Sequence, residues 1–167
     1  MGTIQIDGST PKITVGNATA EDASIVYDGN AKDFYIALDD SADKLVIGEG
    51  STVGTNSILT ITDDSITIGD AAAVDTKIVF DGNAQDYYIA LDDSADDLLI
   101  GKGSTVGTTP AIAIDENLKV NIPVTTASTS ASTGSLTTGG GAGIGADLYV
   151  GDDVYLITDS AVLGFGA

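Results

Sequence analysis

Residues 25–55 read IVYDGNAKDFYIALDDSADKLVIGEGSTVGT, and residues 78–108 read IVFDGNAQDYYIALDDSADDLLIGKGSTVGT. The second stretch begins 53 residues after the first and is identical to it at 25 of 31 positions. The match continues more weakly on both sides, where residues 13–16 correspond to 66–69 and residues 59–61 correspond to 112–114. The sequence therefore predicts two copies of one module with a period of 53 residues.

Short segments with alternating apolar residues mark the strands of each module. Apolar residues recur at every second position, and Gly, Asp, Asn or Ser stands at the ends of each segment. This period of two is typical of half-buried strands, and no segment keeps the longer period of a helix. The apolar pairs and triplets that predict strands are Ile4/Ile6, Ile13/Val15, Leu45/Ile47, Leu59/Ile61, Ile66/Ile68, Leu98/Ile100, Ile112/Ile114, Leu118/Val120/Ile122, Leu148/Val150 and Tyr155/Ile157.

The fold class that this pattern predicts is all-β, with essentially no helix. One small module cannot bury its apolar side chains alone, so modules must stack along the chain or close against other copies. We therefore expect an elongated repeat array of short strands, of the β-solenoid or intertwined trimeric β-fibre type. The sequences at 28–30 and 81–83 should form equivalent turns, with Gly29 and Gly82 at positive φ or in an equally tight backbone. The side chains expected in the core are Ile36, Leu38, Leu45, Ile47, Ile89, Leu91, Leu98 and Ile100.

The composition changes along the chain suggest five segments. Residues 1–24 are leading strands of a partial repeat, 25–77 are the first β module, and 78–123 are the second. Residues 124–146 consist mostly of Ser, Thr, Ala and Gly, which is typical of a flexible linker or of a slim segment wound around partner chains. Residues 147–167 resume the strand pattern. They end at Ala167 without polar residues at the terminus, as expected for a piece cut from a longer protein.

The charge balance and the missing residue types exclude several classes of function. The chain has 25 acidic and 6 basic residues, a formal net charge of -19, and no His, Cys, Trp or Arg. It therefore has no imidazole base, no thiolate nucleophile and no Cys/His zinc site. Its charge repels nucleic acids and anionic membranes. The sequence assigns no catalytic, cofactor-binding or metal-ligating residue, and it predicts neither a cofactor nor an enzyme.

Two acidic clusters, at residues 39–43 and 92–97, leave an alternative open. Carboxylates at positions i, i+1 and i+4 of a turn can hold Ca²⁺, so a calcium-binding β-solenoid adhesin or secreted filament subunit is the alternative function. The competing interpretation is a solvated, capped turn between two strands. Paired carboxylates can also cleave glycosides, but a hydrolase rarely duplicates its acid and base in tandem modules.

Adjacent aromatic residues raise the question of a sugar-binding platform. They are Phe34, Tyr35, Tyr87 and Tyr88. Neighbouring positions of a strand point to opposite faces, so one aromatic of each adjacent pair is expected in the core.

Three strings carry a resemblance to a known class of protein. They are YDGNAKDFYIALDDSADKLVIGEGSTVGT at 27–55 with its second copy, TPAIAIDENLKV at 109–120, and TTASTSASTGSLTTGGGAGIGADLYVG at 125–151. These resemble repeat modules and connecting segments of fibre and appendage proteins of tailed bacteriophages, particularly marine phages. The resemblance spans most of the chain and includes no catalytic residue. The chain departs from a whole fibre in showing neither a virion-attachment domain nor a self-cleaving chaperone domain.

The resemblance implies a structural protein of the virion. The expected function is a stiff acidic spacer in a phage fibre or appendage, located on the virion surface outside the cell. The expected partners are two further copies of the chain, in a homotrimer with residues 124–146 close to the three-fold axis, and other virion proteins. Neither nucleic acid nor a membrane is an expected partner.

Overall fold

The structure is a computed structural model that describes residues 12–156, 162 and 164. This part of the chain is all-β, with one 3₁₀ turn at Asp40–Ala42 and no other helix. The strands are β1 (Ala23–Tyr27), β2 (Phe34–Asp39), β3 (Lys44–Glu49), β4 (Ser57–Ile61), β5 (Ile66–Ile68), β6 (Thr76–Phe80), β7 (Tyr87–Asp92), β8 (Asp97–Lys102), β9 (Pro110–Ile114) and β10 (Val120–Asn121).

The ten strands form two antiparallel sheets. The first sheet has the order β1-β2-β3-β4-β5, and the second has the order β10-β9-β8-β7-β6, so within each sheet every strand pairs with its neighbours in the chain. Strands β6 to β9 of the second sheet each begin 53 residues after strands β1 to β4 of the first sheet. The prediction of an all-β fold with essentially no helix is therefore confirmed for the described residues, and the two sheets repeat one arrangement of strands.

The two predicted turns are equivalent and tight. Gly29 donates its backbone N–H to Asp33 Oδ1 over 3.0 Å, and Gly82 donates to Asp86 Oδ1 over 3.1 Å. Neither glycine has a positive φ. A Cβ on Gly82 would lie only 2.5 Å from the carbonyl oxygen of Gln85, and one on Gly29 would overlap the equivalent carbonyl. The second of the two expected arrangements, a tight backbone, is therefore the one found.

The core of each sheet lies on one face only. In the first sheet the buried side chains are Tyr35, Ala37 and Val46, and Val53 packs against them from the loop that joins β3 to β4. The second sheet repeats this arrangement with Tyr88, Ala90 and Leu99 under Val106. Each loop thus folds back over its own sheet and closes that face.

The predicted core was wrong in its choice of face. Ile36, Leu38 and Leu45 are 39%, 46% and 43% exposed, and their counterparts in the second sheet are equally open. These residues point away from Tyr35 because neighbouring strand positions alternate between faces. The loop between β3 and β4 covers only the tyrosine face. Seven of the eight expected core residues are therefore exposed in the single chain, and the eighth, Ile47, is half-buried.

A hydrogen bond distinguishes the two otherwise similar cores. The hydroxyl of Tyr35 donates to the carbonyl oxygen of Thr55 over 2.8 Å, whereas the buried hydroxyl of Tyr88 has no hydrogen-bond partner. The covering loops differ at this point, because Asn56 has a φ of 48° whereas its counterpart precedes Pro110. Thr109, the residue before this proline, does not share the positive φ of Asn56, because a proline holds the residue before it in an extended conformation.

This difference predicts opposite responses to the same substitution. Tyr35→Phe should lower the free energy of unfolding by about 1 kcal/mol, because it removes a hydrogen bond. Tyr88→Phe should leave that free energy unchanged or raise it, because it removes a hydroxyl that is buried without a partner. Urea denaturation followed by circular dichroism measures both variants. Equal losses in the two variants would contradict the difference in hydrogen bonding between Tyr35 and Tyr88.

Several strands predicted at the ends of the chain are absent from the described residues. Ile13–Val15 forms no strand, whereas its counterpart β5 pairs with β4. A strand needs a neighbouring backbone to satisfy its N–H and C=O groups, and no described strand lies beside residues 13–15. The predicted strand at 118–122 is reduced to Val120–Asn121, since Leu118 adopts a φ of 63°. The pair Ile4/Ile6 lies outside the described residues.

The chain divides into two units between Val124 and Thr125. This boundary lies at the start of the predicted connector. Residues 125–156 contain neither helix nor strand, so the prediction of strands at Leu148/Val150 and at Tyr155 is wrong; Ile157 lies outside the described residues. Small-residue turns order the start of this unit, where the backbone N–H groups of Thr129 and Ser130 both donate to Thr133 Oγ1.

Candidate assembly surface

The uncovered face of the first sheet consists of two complete rows of apolar residues. Successive strands place these side chains directly opposite one another, so each row crosses all five strands. The first row is Ile25, Ile36, Ile47, Leu59 and Ile68, and the second is Ala23, Leu38, Leu45, Ile61 and Ile66. We call this surface the aliphatic face of the first sheet.

The second sheet presents a matching aliphatic face. Its first row is Ile78, Ile89, Ile100 and Ile112, and its second row is Thr76, Leu91, Leu98, Ile114 and Val120. Thr76 is the one polar residue in these two rows, and it stands at the edge strand β6. The two modules therefore repeat the chemistry of this surface as well as its backbone.

A short third row forms the rim of each aliphatic face. In the first sheet it consists of Tyr27, Phe34 and Glu49, and in the second sheet of Phe80, Tyr87 and Lys102. Glu49 is the one acidic residue in the three rows of the first sheet, and Lys32 lies 2.7 Å from its carboxylate. No aspartate stands in the rows of either face, although the chain contains 25 acidic residues.

The size of each face makes its exposure costly. Strands about 4.8 Å apart and rows about 6.8 Å apart give an apolar face of roughly 400 Å² per sheet. Covering it would contribute about 10 kcal/mol at about 25 cal/mol per Å², before the entropy of association is subtracted. A contiguous apolar patch of this size is comparable to the largest one on a typical monomeric protein, and such patches often mark sites of interaction.

No protein-family model, curated protein or solved structure matches the chain.

The acidic clusters form matching turns at the ends of β2 and β7. Asp39 Oδ1 accepts the Ser41 hydroxyl, and Asp22 Oδ1 accepts the backbone N–H of Asp40. The second sheet repeats both bonds, from Ser94 to Asp92 and from the N–H of Asp93 to Asp75. Among the described residues, no group of three acidic side chains is placed to hold a metal ion. These carboxylates stabilise the turns by accepting hydrogen bonds.

The aromatic residues are divided between the two faces of each sheet. Tyr35 and Tyr88 are fully buried in the cores, whereas Phe34 and Tyr87 lie on the rims, as expected for adjacent positions of a strand. One aromatic of each pair is therefore in the core, as predicted. No helix in the described residues is long and apolar enough to cross a membrane.

The second unit also exposes large apolar side chains. Leu148, Tyr149 and Tyr155 are 67%, 92% and 79% exposed. At each of the five glycines between 139 and 145, an added Cβ would have no neighbouring atom within 4 Å. This segment therefore offers open space and apolar groups along a backbone that forms no sheet.

The period-two pattern identified most residues of the aliphatic faces but not their exposure. The available signal was that the strand sequences FYIAL and KLVIG contain apolar residues on both faces. Such a strand is typical of a sheet covered on both sides. One short loop per module closes only one of those sides.

The charge of the chain predicts a salt response. We expect the melting temperature to rise between 0.1 and 1 M NaCl, because the screening length falls from about 10 to about 3 Å and weakens repulsion among the carboxylates. Ca²⁺ at the same ionic strength should add little, because the acidic turns are closed by their own hydrogen bonds. Differential scanning calorimetry measures both titrations.

Two outcomes would contradict this prediction. A melting temperature independent of NaCl would remove the argument from repulsion. A saturable rise at low Ca²⁺ that is lost when Asp92, Asp93 and Asp96 are changed to Asn would support the calcium-binding alternative.

Proposed function

We propose that this chain is a structural component of a phage virion fibre or appendage, where it acts as a stiff acidic spacer on the virion surface. The observation that carries the proposal is the repeated sheet with one closed face and one open aliphatic face. A single chain with two such sheets is incomplete, and assembly with other copies completes it. The resemblance of the repeat and connector strings to phage fibre modules supports the same function.

The proposed assembly is a parallel homotrimer in an elongated array. Three copies of a sheet can turn their aliphatic faces towards a common axis, with the strands running across that axis. Each five-stranded sheet then occupies about 24 Å of fibre length at about 4.8 Å per strand. Stiffness comes from the continuous backbone ladders and from the apolar rows between the sheets.

Residues 124–146 fit a position close to the three-fold axis in this assembly. Their small side chains allow three backbones to approach one another closely. The exposed Leu148 and Tyr149 that follow them would find apolar partners on neighbouring copies. The acidic turns stay at the outside, where they keep the fibre soluble and protect its sheet edges.

Light scattering and small-angle X-ray scattering test the proposal together. The expected mass is three times the 16.7 kDa of one chain, and the expected particle is elongated. A mass of 16.7 kDa at micromolar concentration would refute the trimer. A compact trimer would refute the spacer function but leave the assembly intact.

A further inference from the structure

We infer that the trimer is held together by like-to-like contacts, in which the aliphatic face of the first sheet packs on the same face of the other two copies and the second sheet does likewise. The inference rests on the proposed homotrimer and names the surface and register that build it. The first row, with Ile47 at its centre and Ile36 beside it, then lies nearest the axis.

The distribution of charge favours another copy of this chain as the occupant. Two chains that each carry a net charge of -19 repel one another unless they meet at surfaces free of carboxylates. The aliphatic faces meet that condition, because no aspartate stands in their rows. At the rim of the first sheet, Lys32 compensates Glu49 within its own module, so that rim needs no charge from a partner.

The area of the faces matches what a stable interface needs. The two faces together offer roughly 800 Å² per chain, which is what one partner contributes to an interface of standard size. The rows hold mainly Ile and Leu, and side chains from facing sheets of this kind interdigitate across about 10 Å.

The same observations argue against closure of the first sheet on the second within one chain. The segment at 69–75 joins the sheets, yet Ile36 and Ile89 remain 39% and 40% exposed. Both faces therefore stay open in the single chain. Because the two faces repeat one another, each can meet its own copies in register around one axis.

Single-cysteine variants test the contact, since the natural chain has no cysteine. Ile36→Cys and Ile89→Cys place a thiol at the centre of each face, and Ser24→Cys is the matched control on the opposite side of β1. A bismaleimide with an arm of about 10 Å spans the distance between packed sheets. Ile36→Cys and Ile89→Cys should each form cross-linked dimers roughly a hundredfold faster than Ser24→Cys, because assembly raises the local thiol concentration from about ten micromolar to about a millimolar.

The outcomes separate the inference from the proposed function. Cross-linking that requires a mixture of Ile36→Cys with Ile89→Cys would show that the first sheet meets the second, and it would overturn the inference. Rates equal to the Ser24→Cys control in a chain that light scattering shows to be trimeric would overturn the inference alone. A single-chain mass for the unmodified protein would overturn both. Near-ultraviolet circular dichroism of Tyr35 and Tyr88, which lie on the closed faces, reports whether each variant is folded.

Discussion

Ile47→Asp is expected to convert the proposed trimer into single chains at micromolar concentration. Ile47 stands at the centre of the first row of the aliphatic face, opposite Ile36 and Leu59. In the assembly, a carboxylate at this position would be buried without a partner. The three carboxylates of a trimer would also lie close together near one axis and repel one another. Each buried charge costs several kcal/mol, so the loss should exceed the gain from covering the rest of that face. Sedimentation velocity measures the change in mass.

Ser24→Asp is the matched control for the aspartate variant. It adds the same charge to the same sheet, but Ser24 points away from the aliphatic face and is exposed. This variant should keep the mass of the parent protein. A trimer that survives Ile47→Asp would contradict the role of the aliphatic face.

Gly48→Ala should lower the free energy of unfolding of the first module by roughly 3 kcal/mol. Gly48 lies directly opposite Tyr35 in the register of β2 and β3, and the tyrosine ring covers it. A Cβ at this position would lie 2.5 Å from Tyr35 Cζ, and the ring is fully buried and cannot move aside freely. Overpacking of this kind forces a core side chain out of its preferred rotamer. Urea denaturation measures the loss.

The second module supplies a replicate of this experiment, and the second unit supplies a control. Gly101→Ala should have a similar effect, since a Cβ there would meet the Tyr88 ring and would lie 2.8 Å from the carbonyl oxygen of Thr109. Gly140→Ala should change stability by less than about 0.5 kcal/mol, because no atom lies within 4 Å of its added Cβ. A large loss for Gly140→Ala or none for Gly48→Ala would contradict the packing described for the tyrosines.

The sequence predicted the repeat, the strand class and the equivalent turns, because these depend on local patterns. Period-two alternation and the turns at Gly29 and Gly82 can be recognised within a few residues. The choice of face could not be predicted in this way. It depends on whether the loop carrying Val53 folds over Tyr35 or over Ile36, and that is a tertiary choice between two apolar surfaces of one strand.

The terminal strands were harder to predict for a related reason. Ile13/Val15 and Ile66/Ile68 have the same pattern, yet only the second pair lies beside a paired strand. Alternation of apolar and polar residues shows that a segment can form a strand. Whether it joins a sheet depends on a neighbouring strand with which its backbone can pair. The same reasoning applies to Leu148/Val150, which stands after a connector that lacks any sheet.

The order in which neighbouring strands pair has a consequence for how the protein is made. Because each strand within a sheet bonds to the next one along the chain, the sheets contain mainly local contacts, which favour faster folding than long-range strand pairing does. Each sheet can form on the growing polypeptide before other copies are near. In the proposed assembly, the newly made monomer carries two open apolar faces, and its acidic turns limit aggregation until copies meet. We expect subunit encounter to limit the overall rate of maturation, which should therefore rise with protein concentration.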